Sequence, residues 1–136
     1  MQRVLLDLSA LILIRQANLL RRLSIDIKNG RFAVAQYGLN RLRRNPRWRG
    51  WVERNDHRLR VRPETAPEHE LFHQLMRSHG SIECNPMISD DDLMAITIAR
   101  IRGFPLVLRD KAAEQLATSL GVRCIQASDF IKDARA

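Results

Sequence analysis

The sequence is poor in cysteine, and its two cysteines lie far apart. Cys84 and Cys124 match no metal-binding spacing and cannot form the disulfide framework of a small secreted domain. Long apolar runs are also missing. Residues 10–14 are too few to span a bilayer, and Asp7 interrupts the stretch that would imitate the core of a signal peptide. We therefore expect a cytoplasmic protein that has no membrane partner.

Internal repeats and low-complexity segments are absent as well, so the organisation must come from periodicity and turn signals. The chain has 136 residues, which is the usual size of one domain and long enough to bury a core. We expect residues 1–136 to form a single domain.

Short apolar segments typical of buried strands alternate with segments of helical periodicity. This alternation predicts an α/β fold of three layers (α/β/α), with a central, mostly parallel sheet of four to five strands. The predicted strands are residues 3–6, 32–35, 59–62, 105–108 and 122–125. The predicted helices are 9–23 with Ser9 as N-cap, 37–44, 41–56 with a break at Asn45-Pro46, 65–80, 89–102, 111–120 and a last piece from 128.

Acidic residues stand where a parallel sheet has its carboxyl edge. Asp7 and Asp110 directly follow predicted strands, and Asp90, Asp91 and Asp92 occupy the first turn of a helix that begins at the same edge. Ligands of open α/β sheets bind there, and several carboxylates gathered at one edge are unfavourable without a cation. Mg²⁺ and Mn²⁺ join carboxylates to phosphate oxygens, an arrangement that phosphodiester cleavage needs. Taken singly, each acid is better explained as a helix cap or turn residue, but the convergence of all of them at one edge is not explained in that way.

Three segments of this chain resemble the PIN-domain family. VLLDLSAL at residues 4–11 is similar to the opening strand of that family, in which an aspartate is followed two residues later by Ser or Thr. SDDDLMAITIA at residues 89–99 is similar to the later acidic helix, and PLVLRD at residues 105–110 to the next strand with its terminal acid. The resemblance covers residues 1–14 and 88–131, while the middle shares only the α/β rhythm.

The resemblance implies a Mg²⁺- or Mn²⁺-dependent endoribonuclease that acts on RNA. Such proteins are commonly the toxin of a toxin–antitoxin pair, with a cognate antitoxin as partner, and commonly homodimers. By the same resemblance Asp7, Asp92 and Asp110 are the catalytic metal ligands, Asp91 is a further candidate ligand, and Ser9 is a helper to Asp7.

One position departs from the family pattern. PIN domains carry a glutamate early in the helix after the second strand. The nearest position in this chain holds Asn40, which is a candidate helper to the metal ligands. An amide can bind a metal but adds no charge. Three outcomes stay open: a weakened site, a site that recruits Glu68 or Asp91, or a PIN-like module that binds RNA without cleaving it.

Basic residues concentrate in the first half of the chain. Residues 1–62 carry fifteen Arg or Lys against four Asp or Glu, whereas residues 63–136 carry eight against eleven. Arginine binds phosphates in bidentate fashion and indoles stack on unpaired bases, so the segment from Arg41 to Arg62 predicts nucleic-acid binding. The alternative is a solvated helix whose tryptophans face the core. The nucleic-acid-binding candidates are Arg43, Arg44, Arg47, Trp48, Arg49 and Trp51.

A rival motif lies in the middle of the chain. His69, Glu70 and His73 fit H-E-x-x-H, which places two imidazoles on one helix face for Zn²⁺ and a glutamate beside them as general base. His79 falls where some zinc peptidases place a third ligand, but Met76 occupies their glycine position. A zinc peptidase is therefore an alternative, and histidines on the surface of an unbroken helix that ends at Gly80 are the simpler interpretation.

Overall fold

A computed structural model describes residues 3–135, which form helices on both sides of a parallel sheet. The four strands of the described chain pair in the order β2-β1-β3-β4, all parallel, which confirms the predicted α/β fold. The strands are β1 (Val4–Leu6), β2 (Phe32–Ala33), β3 (Leu106–Leu108) and β4 (Cys124–Gln126). The helices are α1 (Leu8–Gln16), α2 (Ser24–Lys28), α3 (Gln36–Arg43), α4 (Pro46–Leu59), α5 (Ala66–His79), α6 (Asp90–Arg102), α7 (Lys111–Ser119) and α8 (Ala127–Arg135).

The sheet separates two apolar cores. Leu5, Leu106 and Leu108 belong to a core built mainly with α5, α6 and α7, and we call this side the α6 face. Leu6 and Val107 belong to the other core, built with α1, α2, α3, α4 and α8, which we call the α1 face. Successive strand residues point to opposite sides, so each three-residue strand contributes to both cores. The three-layer arrangement follows directly from this alternation.

The first helix differs from the sequence prediction at both ends. Its N-cap is Asp7 rather than Ser9, because the Asp7 carboxylate accepts the backbone N–H of Ala10 at 2.7 Å. The helix ends at Gln16 instead of continuing to residue 23, because Asn18 adopts a left-handed φ of 60°. The chain then turns before the short helix α2, which the periodicity did not predict.

The middle of the chain gives one confirmed and one wrong prediction. Asn45 caps α4 by accepting the backbone N–H of Arg47 at 2.9 Å, so the predicted helix break is confirmed. The predicted strand 59–62 is wrong, because α4 continues through Leu59 and only Arg60 forms an isolated bridge, with Val34. Leu59 is buried in the α1-face core with the earlier α4 residues, so its apolar character belongs to the helix.

Helix starts and ends in the second half agree with the sequence. Thr65 and Glu68 form the predicted capping box of α5. Ser89 caps α6 by accepting the backbone N–H of Asp92 at 3.3 Å, and Gly103 ends that helix with a left-handed φ of 74°. The last strand is shifted by two residues from its predicted start, to Cys124.

The structure bears on two predictions, one from the few cysteines and one from the missing long apolar runs. Cys84 and Cys124 are free thiols, as their spacing predicts. Among residues 3–135, no helix combines the length and the apolar character that crossing a bilayer requires.

Candidate active site at the carboxyl edge of the sheet

Asp7 and Asp92 form a pair of buried carboxyl groups beyond the end of β1. Asp7 is 2% exposed and Asp92 is 8% exposed. Burial, followed by the hydrogen bond with Asp92 and its charge, raises the pKa of Asp7 to about 8. The backbone N–H of Ala10 and the hydroxyl of Ser9 donate to Asp7 and act in the opposite direction. At neutral pH Asp7 therefore keeps its proton unless a cation neutralises the site.

Ser9 supports the carboxyl group of Asp7. Its hydroxyl lies 3.1 Å from one carboxylate oxygen and 3.2 Å from the other. The helix geometry explains the contact, because Asp7 caps the first turn of α1 and Ser9 lies within that turn. The Ser9 hydroxyl therefore donates to the Asp7 carboxyl group at the start of α1.

An open cleft of about 620 Å³ is lined by Asp92 and Ser9, whereas Asp7 is buried and does not line it. Asp110 lines the cleft together with Asp92, although it is exposed and also caps α7 by accepting the backbone N–H of Ala113 at 2.9 Å. Arg109 and Lys111 bring two positive charges to the same wall. The full lining is Ser9, Met87, Ser89, Asp92, Arg109, Asp110 and Lys111. Carboxylates beside cations in an open cleft suit a ligand that combines a metal ion with phosphate.

The donor set fits a hard divalent cation with few protein ligands. Across residues 3–135, no three His, Cys, Asp or Glu side chains come together as a metal-binding group, so Asp110 does not join the pair as a close third ligand. Mg²⁺ is commonly bound through only one or two carboxylates plus water and substrate phosphate. Asp7 and Asp92 supply that number of carboxylates, and oxygen donors suit Mg²⁺ or Mn²⁺ better than Zn²⁺.

The neighbouring acids on α6 are tied to α3. A guanidinium nitrogen of Arg41 lies 2.7 Å from Asp91 Oδ2, and the hydroxyl of Tyr37 donates to Asp90 at 3.4 Å. Burial raises the pKa of Asp91 against the opposing charge of Arg41. Asp91 Oδ1 is buried and has no hydrogen-bond partner among the described residues. These contacts hold the start of α6, and with it Asp92, at the end of β1, and the sequence did not predict them.

Glu68, a suggested substitute for the missing family glutamate, and Asn40, which stands at that glutamate's position, both have other partners. Glu68 is fully buried, and Arg102 binds both of its oxygens at 2.6 and 2.7 Å. Asn40 is exposed, and its side-chain oxygen lies 3.4 Å from the guanidinium groups of Arg43 and Arg60. Neither residue lines the cleft. Of the suggested alternatives, Asp91 alone adjoins the carboxylate pair, as the neighbour of Asp92.

The tryptophans of the basic segment belong largely to the interior. Trp48 is 3% exposed in the α1-face core, where its ring packs edge to face against that of Trp51 with a centroid distance of 5.4 Å. For Trp48 the core alternative is therefore the correct one, and its ring is not open to a base. Arg43 pairs with Asp56, and the Nε of Arg49 donates to the Arg43 carbonyl at 3.3 Å. The side chains of Arg44 and Arg47 face solvent.

The histidine motif lies on the outer surface of α5. His69, Glu70 and His73 are exposed, and the helix continues unbroken to His79 before Gly80 ends it. The opposite side of the helix packs into the α6-face core. None of these residues belongs to a group of three ligands within the described part of the chain. The geometry favours the surface-helix interpretation.

Sequence reasoning missed the cationic wall of the cleft. Arg109 and Lys111 flank Asp110 directly, so each follows β3 at the same edge as the acid. The signal was present in the tripeptide itself, since charged residues that end a buried strand lie at the edge where the strand stops. Met87 lines the cleft from the loop before α6, and periodicity carries no information about that loop.

The comparisons with known proteins assign no family to this chain. The sequence matches no family model and no curated protein. The class of protein is therefore defined by the fold and the cleft alone. Within residues 3–135 it is an α/β protein with a parallel sheet and a carboxylate cleft beyond the carboxyl ends of its central strands.

Proposed function

We propose that the protein is a metal-dependent endoribonuclease that cuts RNA phosphodiester bonds. The observation that carries this proposal is the buried pair of Asp7 and Asp92 at the carboxyl edge. Two buried carboxyl groups in contact destabilise a fold unless they share a proton or bind a cation. Strongly shifted acids beside a cleft are typical of functional sites, and the resemblance to PIN domains supplies the reaction.

Each residue of the cleft has a role in this proposal. Asp7 and Asp92 would hold Mg²⁺ or Mn²⁺, with Asp110 lining the same cleft as Asp92, and the bound ion would supply the Lewis acidity that phosphodiester hydrolysis needs. Ser9 orients the Asp7 carboxylate through its hydroxyl. Arg109 and Lys111 bind phosphate oxygens of the strand and counter the charge of the carboxylates.

The test is cleavage of a labelled single-stranded RNA with Mg²⁺, with Mn²⁺ and with a chelator. We expect cleavage only with a divalent ion, and we expect Asp7→Asn and Asp92→Asn to reduce the rate by at least about a hundredfold. Asp129→Asn is the matched control, because Asp129 is an exposed acid in the first turn of α8 and should leave the rate unchanged. Cleavage that persists in chelator, or in both site variants, would refute the proposal.

A second candidate is a PIN-like module that binds RNA without cutting it. Two observations favour it: Asn40 stands where the family carries a glutamate, and the described residues contain no group of three metal ligands. This candidate expects RNA affinity that falls with salt, because phosphate contacts release counterions, together with no cleavage under any metal.

The proposed nuclease also has proposed partners and a proposed location. By the resemblance it would act as a toxin that a cognate antitoxin neutralises, and it would form a homodimer. The two free thiols, Cys84 and Cys124, are compatible with the reducing cytoplasm that we propose as its location. Co-purification with an antitoxin and the mass of the particle in solution are the measurements that bear on these points.

A further inference from the structure

A second depression of about 500 Å³ lies between the end of α1 and the start of α4. Two arginines, Arg15 and Arg47, line it, and the described residues of its wall include no Asp or Glu. Neutral side chains that can donate hydrogen bonds complete the polar part of the wall, namely Gln16, Asn18 and Asn45. We call this depression the α1–α4 groove. Its chemistry is that of an anion site, because it lacks the carboxylates that line the first cleft.

The two arginines of the groove are available for a ligand, unlike several arginines nearby. Arg15 and Arg47 are exposed, and no ion pair among residues 3–135 engages either of them. By contrast, Arg41 is bound by Asp91 and Arg43 by Asp56. The guanidinium carbon of Arg15 lies 5.1 Å from the centroid of the Trp48 ring. Stacking of this kind holds a guanidinium group in place while its edge keeps N–H donors for phosphate.

One face of α1 joins this groove to the acidic cleft. Ser9, Ile12 and Gln16 follow the helical repeat and therefore share a face. Ser9 lines the cleft, whereas Ile12 and Gln16 line the groove. At a rise of about 1.5 Å per residue, Ser9 and Gln16 are roughly 10 Å apart along the axis. That distance corresponds to roughly three nucleotides at a rise of about 3.4 Å per nucleotide of a helical strand.

Electrostatics explains why a nuclease with this cleft needs such a groove. In the cleft the charges of Arg109 and Lys111 are offset by those of Asp92 and Asp110, so a bound strand gains from phosphate contacts outside the cleft. The formal net charge of +8 shows that the chain has cations to compensate, and the groove concentrates two unpaired ones along the path that leaves the cleft.

We propose that the α1–α4 groove is a phosphate-binding subsite, in which Arg15 and Arg47 hold the RNA strand a few nucleotides away from the carboxylate pair. The identity of the strand as RNA rests on the proposed nuclease function, whereas the anion chemistry rests on the groove. The groove would act on binding, and the cleft on the chemical step.

The test measures binding without cleavage, so that the groove and the nuclease proposal can fail separately. A labelled single-stranded RNA of about ten nucleotides is titrated in chelator at several salt concentrations. We expect Arg47→Gln to lower the slope of log affinity against log salt by about 0.7, since one phosphate contact is lost. We expect the double variant Arg15→Gln/Arg47→Gln to lower the slope by about twice that amount and to weaken binding at low salt by about tenfold.

Two controls separate this subsite from general basicity. Arg77→Gln removes the same charge from an exposed position of α5, on the α6 face, and should leave the slope unchanged. Arg47→Lys keeps the charge and should keep most of the slope. If Arg15→Gln prevents folding because it packs on Trp48, Arg47→Gln alone decides the question.

The outcomes are distinct. A slope that falls in the Arg47 variant and not in the Arg77 variant supports the groove, even if no RNA is cleaved. Equal slopes in both variants overturn the groove, even if RNA is cleaved with Mg²⁺. Absence of RNA binding by the wild type at low salt overturns it as well.

Discussion

The side chain of Asp7 meets two demands that conflict. As N-cap of α1 it accepts the Ala10 N–H at 2.7 Å, which favours the ionised form. Burial and the neighbouring Asp92 favour the protonated form of Asp7. These two effects are the larger ones, since the pKa of Asp7 rises to about 8. A residue that served only as a cap would gain from being an asparagine, whose oxygen accepts the same N–H without a buried charge.

This conflict predicts a stabilising substitution. Asp7→Asn keeps an oxygen that accepts from Ala10 and removes the charge that faces Asp92. We expect it to raise the free energy of unfolding of the metal-free protein by on the order of 2 kcal/mol near pH 8, while it abolishes divalent-dependent cleavage. Chemical denaturation in chelator is the measurement.

The pH dependence of this gain has a defined sign. The folded pKa of Asp7, about 8, lies above its ordinary value of 3.8, so the folded state binds the extra proton between these values. The contribution of Asp7 to wild-type stability is therefore fully present below about 3.8 and is lost as the pH rises through about 8. The advantage of Asp7→Asn should grow over the same window. A difference between Asp7→Asn and the wild type that stays flat over this window would contradict the buried-pair geometry.

At the scale of elements, the junction of α5 and α6 depends on one buried ion pair. Glu68 is fully buried, and Arg102, at the end of α6, binds both of its oxygens. Burial alone acts to raise the pKa of Glu68, but the hydrogen bonds from Arg102 and Thr65 hold it below its ordinary value. The carboxylate therefore stays charged in the core only because its partner is present.

Removal of that partner should be costly. We expect Arg102→Gln to lower the free energy of unfolding by about 3 to 5 kcal/mol, because it leaves an uncompensated buried charge. The double variant Glu68→Gln/Arg102→Gln should recover a large part of this loss, since no charge then remains buried. Urea unfolding of Arg102→Gln, of the single variant Glu68→Gln and of the double variant measures the coupling. A double variant that is less stable than Arg102→Gln would show that the charge is not the cause.

Elements also show how far the sequence alone predicts this fold. The sequence correctly predicted helix ends that depend on local chemistry, such as Asn45 before Pro46 at the start of α4 and Gly103 at the end of α6. The helix-ending turn at Asn18 was missed, because a left-handed asparagine leaves no mark in the hydrophobic pattern. The alternating residues 59–62 were predicted as a strand, but Leu59 completes the buried side of α4, and a single alternation fits both structures.

The candidate site was predictable only in part. That the acids lie at one edge follows from chain direction in a parallel sheet, and the structure places Asp7 in contact with Asp92 as that reasoning expects. The distance of Asp110 from the pair depends on how far α7 starts beyond β3, which no residue pattern encodes. The contacts of Tyr37 and Arg41 with the start of α6 join segments far apart in sequence, so local reasoning does not reach them.

At the scale of the whole molecule, the two cores share one thin sheet. Leu5 and Leu6 are neighbours in β1, yet one belongs to the α6 face and the other to the α1 face. A sheet whose strands have only two or three residues is not stable unless helices pack on both of its faces. The two faces should therefore unfold together.

Both tryptophans of the chain, Trp48 and Trp51, pack on the α1 face, which makes this expectation measurable. Ile96→Ala, a large-to-small substitution in the opposite core, should lower the free energy of unfolding by about 2 to 5 kcal/mol. Tryptophan fluorescence and far-ultraviolet circular dichroism should then shift to the same lower denaturant midpoint. A fluorescence transition that stays at the wild-type midpoint would show that the two faces unfold independently.

The strand order β2-β1-β3-β4 has a consequence for how the protein is made. β1 pairs with β3 across about a hundred intervening residues, and Asp92 reaches Asp7 only when α6 is in place. A ribosome must therefore release α6 and β3 before the carboxylates meet, and pairing over so long a separation is slow to form. Under the proposed function, a nascent chain could not cut the RNA around it before those two elements have emerged.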